Sequence, residues 1–156
     1  MTKNVLKIKF CKVNQILSID YGLKRTGLAY AEEPLFIALS LSTVNTNEIF
    51  SYLSNYLKSN DVVKIIIGEP KSLDGSFTDS SKLIYNFHRK ITKMYSGIKV
   101  ELYDERFTSK IAKQVLFSSG LKKNKRKNKK TVDKISAVII LQDYLKSESF
   151  SKSSKT

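Results

Sequence analysis

The chain has 156 residues, the length of one domain and enough to bury a core without covalent staples. Apolar residues make up 41% and charged residues 27%, an ordinary globular balance that excludes a chain too polar to fold. The charge is not ordinary: 28 Lys and Arg against 14 Asp and Glu leave +14, a field that attracts polyanions, nucleic acid first and an anionic membrane surface second.

No apolar run approaches the roughly 20 residues of a membrane span, and the N-terminus lacks the unbroken apolar stretch of a signal peptide. The single cysteine, Cys11, excludes an internal disulfide and a zinc ribbon and suits a reducing compartment. The expectation is a cytoplasmic protein with no membrane partner, monomeric or a weak homodimer.

Residues 1–14 interleave lysines with apolar residues and read as a basic N-terminal extension. Ile16–Ile19 is a compact apolar strand that ends in Asp20. Gly22 follows, a residue able to take φ > 0 in a tight turn. Thr26–Ala31 reads as the returning strand of a hairpin. Ile37–Val44 alternates, with Ile37, Leu39 and Leu41 on one side, as a half-buried strand near a sheet edge does. The period then changes. Asn45 and Glu48 have capping-box spacing, and Ile49, Leu53 and Leu57 follow at helical intervals. Val62–Pro70 is a β-branched central strand stopped by Gly68 and Pro70.

Asp74–Gly75 marks a turn. Leu83, Ile84, Phe87, Ile91 and Met94 make the next helical stripe, and Lys99–Tyr103 a strand that runs into Asp104 and Glu105. Ile111, Ala112, Val115 and Leu116 mark a helix closed by Gly120. Seven Lys and Arg without an acid between Lys122 and Lys130 read as a flexible basic loop over 121–131. The last helix spans about Val132–Leu145, with Ile135, Val138, Ile139 and Leu145 on its buried side. Residues 147–156 read as a disordered Ser/Lys tail. The order β-β-β-α-β-α-β-α gives an α/β fold with a mixed five-stranded sheet. Its helices lie on both faces and its first strand near the middle.

Sites of open α/β sheets form outside the carboxyl ends of the strands. Asp20 and the Asp104–Glu105 pair sit at such ends, and Asp133 lies in the first turn of the last helix with small Ser136 and Ala137 beside it. Acids converging from distant segments repel unless a cation neutralises them, and hard oxygen ligands suit Mg²⁺ or Mn²⁺. Two such ions about 4 Å apart are a standard device for phosphodiester hydrolysis. Each acid also has a plainer reading: Asp20 as a turn residue, Asp133 as a helix-dipole acid, Glu105 as the surface partner of Arg106. Glu69 is a fourth candidate on the same rim. His88 reads as structural or exposed.

The segments DYGLKRTGLA (Asp20–Ala29), GEPKSLDGS (Gly68–Ser76), DERFTSKIA (Asp104–Ala112) and VDKISAVIILQDYL (Val132–Leu145) occur in the order of the YqgF/RuvX family. The chain resembles these pre-16S rRNA nucleases, also called Holliday junction resolvase-like proteins, over roughly 15–146. The resemblance implies a ribonuclease H-like domain, metal-dependent hydrolysis of phosphodiester bonds and a role in maturing the 5′ end of 16S rRNA. Its implied partners are pre-16S rRNA or branched DNA, with ribosomal precursor particles as further candidates.

By position, the family's acids fall on Asp20, Glu105 and Asp133, as catalytic and metal-binding residues, with Asp104 as rival to Glu105. Arg25 and Arg106 match its basic positions and are candidate phosphate holders. Lys122, Lys123, Lys125, Arg126, Lys127, Lys129 and Lys130 would position the backbone of the substrate. At Glu69 this chain carries an acid where many relatives have an apolar residue. Two other readings are a sugar-kinase or actin-like ATPase, which would need a second Asp-x-Gly hairpin in a longer chain, and a non-catalytic rRNA-binding assembly factor.

Overall fold

The computed structural model describes residues 13–71, 79–105 and 129–153. Residues 1–12 with Cys11, the Asp74–Gly75 turn and the helix expected around 111–120 lie outside the described residues, as do Arg106 and the basic positions from Lys122 to Lys127. Lys129 and Lys130 open the last helix, and nothing is described of their side chains.

Strands β1 (Asn14–Tyr21), β2 (Arg25–Glu32) and β3 (Leu39–Asn45) form an antiparallel meander. Helix α1 (Ile49–Ser59), entered through a short 3₁₀ turn, leads to β4 (Asp61–Glu69). Helix α2 (Asp79–Met94) then leads to β5 (Lys99–Asp104), and α3 (Lys129–Ser153) closes the fold. The sheet order is β3-β2-β1-β4-β5, with β4 parallel to both β1 and β5. The expected five-stranded mixed sheet is thus present, with β1 at its centre.

Alternation along the strands separates two faces. Leu17, Ile19, Leu28, Ile65 and Ile67 face one way, into a core completed by Ile49 and Leu53 of α1 and Ile84, Phe87 and Ile91 of α2. Ala29 and Ala31 face the other way, against Ala137 and Leu141 of α3. Beside them Ile66 meets Ile140 and Tyr144.

Several local expectations differ. The face of α3 that is fully buried carries Ala137, Ile140, Leu141 and Tyr144; of the expected positions, Val138 and Leu145 pack half-buried against that core, and Ile135 and Ile139 are half-buried. The helix lies on a floor of small residues, Ala29 and Ala31, and sets Ala137 and Leu141 against it. It also continues to Ser153, through the first part of the expected disordered tail, because no Gly or Pro follows Leu145 to stop it. On β3, a register shift opposite Leu28/Ala29 breaks the alternation. Ile37 and Leu39 are exposed, while Leu41 and Val44 pack against the core. Leu83 and Met94 of α2 are exposed too. Asn45 meets Glu48 side chain to side chain at 3.1 Å and caps no backbone N–H.

Candidate active site

The β1–β2 hairpin brings the first acid to the rim. Gly22 does not take a left-handed backbone. Its N–H donates to the Arg25 carbonyl at 3.1 Å, and a Cβ there would collide with that same carbonyl. Thr46 ties the tip down from the end of β3: its hydroxyl donates to the Gly22 carbonyl at 2.6 Å and its N–H to Lys24 at 3.1 Å.

Asp20 lies on the α3 face, opposite in parity to Leu17 and Ile19. Its cross-strand partner is Gly27, and partners in an antiparallel pair share a face. A Cβ on Gly27 would strike the backbone carbonyl of Asp133. The glycine therefore lets the first turns of α3 descend onto β2 and sets Asp133 beside Asp20. Among the described residues the Asp20 carboxylate makes no hydrogen bond or ion pair. Loss of water raises its pKa from 3.8 to about 6, with the negative charge of Asp133 as the second cause.

A second glycine stands on the other side. β1 and β4 run parallel with Ile19 beside Ile67, so the next pair in that register is Asp20 and Gly68. A Cβ on Gly68 would lie 2.6 Å from Glu105 Oε2 and 2.8 Å from Ile140 Cδ1. The Glu105 carboxylate thus lies over Gly68, next to the Asp20 position, and the bare backbone makes the cradle that holds it. Asp104 shares the parity of Val100 and Leu102, which pack on the α1–α2 side. Of the two adjacent acids, Glu105 is the one that lies on the α3 face.

Glu69 follows Gly68 and so faces the opposite way, toward α2. It is buried there, with its carboxylate accepting from the Tyr85 hydroxyl and 3.2 Å from Lys71 Nζ. Its place in sequence suggested the rim, but the pleat turns its side chain away from Asp20. Within an unbroken apolar strand, parity is the only signal for this, and Ile65, Ile66 and Ile67 leave it unreadable. His88 lies near the Val100 carbonyl, 3.4 Å from Nε2, far along α2 in a structural position.

Arg25 begins β2, and its Nε donates to Asp133 Oδ2 at 3.0 Å. Expected to hold a phosphate, it holds an acid of the site here. In this arrangement no group of three His, Cys, Asp or Glu side chains among the described residues is close enough to hold one ion. The donor chemistry still suits a hard divalent cation: carboxylates that repel one another, one of them stripped of water, in a cradle between two glycines.

A family model described as "RuvX: Holliday junction resolvase" matches residues 14–147. A Flavobacterium johnsoniae protein named "Putative pre-16S rRNA nuclease" is 44% identical over 136 residues, covering 87% of this chain and 99% of that protein. A protein of the same name from Bacteroides fragilis is 43% identical over 136 residues, with the same coverage. Among solved structures, Thermus thermophilus RuvC in complex with a Holliday junction substrate superposes with a TM-score of 0.55 at 14% identity, covering 86% of this chain and 96% of that one. A fowlpox virus resolvase bound to Holliday junction DNA gives 0.55 at 15% identity, covering 85% and 97%. At such identities the likeness is one of fold, the ribonuclease H-like sheet shared with these resolvases.

Proposed function

The chain belongs to the RuvX family, a family of nucleases, and from that premise we propose that it hydrolyses phosphodiester bonds of precursor 16S rRNA, trimming toward the mature 5′ end. The observation that carries the site is the placement of Asp20: a carboxylate at the tip of the central strand, beside Asp133, with glycine on both neighbouring strands. The names of its relatives support the choice of substrate.

In this reading Asp20, Glu105 and Asp133 supply the oxygens for Mg²⁺ or Mn²⁺. Bound there, the cation would polarise the scissile phosphate and lower the pKa of the attacking water. Arg25, which holds Asp133 here, would be free to turn its guanidinium, a planar fork of donors, toward a phosphate were that acid to hold the cation. Arg106 and the basic run Lys122–Lys130 hold the flanking backbone, which places the strand without reading its bases. Low cation affinity at acid pH follows from Asp20, which must be ionised to ligate. Among the described residues no helix is long and apolar enough to cross a membrane. We place the reaction in the cytoplasm, where precursor rRNA is.

A second reading, cleavage of branched DNA, is favoured by the description of the family model. Turnover of a 5′-extended 16S rRNA fragment and of a four-way DNA junction, each with Mg²⁺, Mn²⁺ or chelator, separates the two. The expected result is metal-dependent cutting of the RNA; cutting of the junction alone reverses the assignment, and binding without cutting of either leaves an assembly factor.

A further inference from the structure

Glu69 is a buried acid that the acid centre does not use. It ends β4 only 5% exposed, at a point where packing alone would call for another Ile. Both its oxygens are engaged: Oε1 accepts from the Tyr85 hydroxyl of α2, and Oε2 lies 3.2 Å from Lys71 Nζ. A second clamp holds the same corner, the Ser81 hydroxyl donating to the Pro70 carbonyl at 3.2 Å. The first two turns of α2 therefore grip the end of β4 at Glu69 and Pro70.

That corner reaches the acid centre through the backbone. The carbonyl of Glu69 accepts the N–H of Glu105 at 3.2 Å, and Glu105 is the first residue beyond β5. Its N–H makes the last bond of the parallel β4–β5 ladder, beside the Glu69–Asp104 pair, and so ties its backbone to the neighbouring strand. On the other face of the same strand, its carboxylate lies over Gly68. Ligand groups need placing to within about 0.5 Å, so a shift of the corner is felt at the carboxylate.

We propose that Glu69 is a positioning residue: clamped by Tyr85 and Lys71, it fixes the end of β4, and its carbonyl thereby sets Glu105 over Gly68 to ligate a divalent cation. The inference rests on Glu105 being a ligand. It accounts for a buried carboxylate that would otherwise only cost solvation, and it joins α2, on one face of the sheet, to a site on the other.

The test is a Mn²⁺ titration by calorimetry on nucleic-acid-free protein, in wild type, Glu69→Gln, Tyr85→Phe, Glu105→Gln and the double variant Glu69→Gln/Glu105→Gln. Glu69→Gln and Tyr85→Phe are each expected to weaken Mn²⁺ binding about tenfold, the scale found for groups that orient metal ligands. In the Glu105→Gln background the Glu69 substitution should add less than about twofold, because its effect passes through Glu105. Tyr85→Phe changes no charge and removes one hydroxyl, so it keeps the test valid if Glu69→Gln unfolds. Equal weakening by Glu69→Gln with and without Glu105 would mean a general field or folding effect and would overturn the inference. So would wild-type affinity in both Glu69→Gln and Tyr85→Phe. Wild-type affinity in Glu105→Gln itself would overturn the ligand assignment instead, a distinct failure.

Discussion

Arg25 and Asp133, 108 positions apart in sequence, meet as an ion pair with Nε and Oδ2 3.0 Å apart. The pair joins the start of β2 to the second turn of α3, directly beside Asp20. A cation drawn to Asp133 has to displace this guanidinium. Arg25→Gln is accordingly expected to tighten Mn²⁺ binding about two- to fivefold, the scale of a part-exposed ion pair, and to weaken RNA binding. Calorimetry without nucleic acid checks the first effect. Unchanged or weaker Mn²⁺ binding would show that the guanidinium does not compete for Asp133.

The pH dependence follows from Asp20, whose pKa is raised from 3.8 to about 6. A carboxyl raised in the fold favours the folded state while protonated. That contribution is full below the unfolded value and is lost as pH rises through about 6, above which the ionised group costs stability. Asp20→Asn, neutral throughout, should raise the melting temperature of cation-free protein at neutral pH, with the gain vanishing toward about pH 4. Cation affinity should fall about tenfold per pH unit below 6, because a protonated carboxyl does not ligate. Melting curves of both proteins across this range, with a parallel Mn²⁺ titration, check both signs.

The two glycines beside Asp20 should not respond alike. At Gly27 an added Cβ meets the Asp133 backbone, and at Gly68 it meets the Glu105 carboxylate and a methyl of Ile140. A helix backbone yields less readily than the end of a side chain. Gly27→Ala is expected to lose stability at the upper end of the ~1–3 kcal/mol typical of overpacking, and Gly68→Ala at the lower end. Both should weaken Mn²⁺ binding. Urea denaturation gives the ranking; the reverse order would mean that α3 has room to move.

Much of this was legible beforehand, for reasons that differ by residue. Asp20 stood out because an acid closes an apolar strand and Gly22 follows two residues later. The central place of β1 followed from the element order. The choice between Asp104 and Glu105 was not legible, since parity is lost where a strand ends. What favours Glu105 is Gly68, whose missing Cβ leaves room for the Glu105 carboxylate on the α3 face. On α3 the expected Val138 and Leu145 do pack against the core, half-buried, while the fully buried positions are Ala137, Ile140, Leu141 and Tyr144. The helix approaches a floor of alanine and glycine, where Ala137 fits.

The basic run Lys122–Lys130 carries seven cations, the last two of them, Lys129 and Lys130, opening α3. If about four engage phosphates at once, replacing the run with Gly and Ser should flatten the plot of log K against log[salt] by about 3 units, at roughly 0.7 per contact for a single strand. The loss should be similar for different sequences. Binding isotherms at several salt concentrations, on the Asp20→Asn background to prevent cutting, provide the slope. An unchanged slope would place the binding surface elsewhere.

Everything proposed for the site depends on one assignment: Asp20, with Glu105 and Asp133, holds the divalent cation that drives phosphodiester hydrolysis. Its most direct test is the cleavage rate of a 5′-extended 16S rRNA fragment in Mn²⁺ by wild type and Asp20→Asn, with RNA affinity measured alongside. The expected result is a loss of at least about a hundredfold in rate, the scale of removing a preorganised group that stabilises transition-state charge, with RNA binding equal or slightly tighter as a negative charge leaves. Cleavage by Asp20→Asn at the wild-type rate would contradict it and return Asp20 to the role of a turn residue.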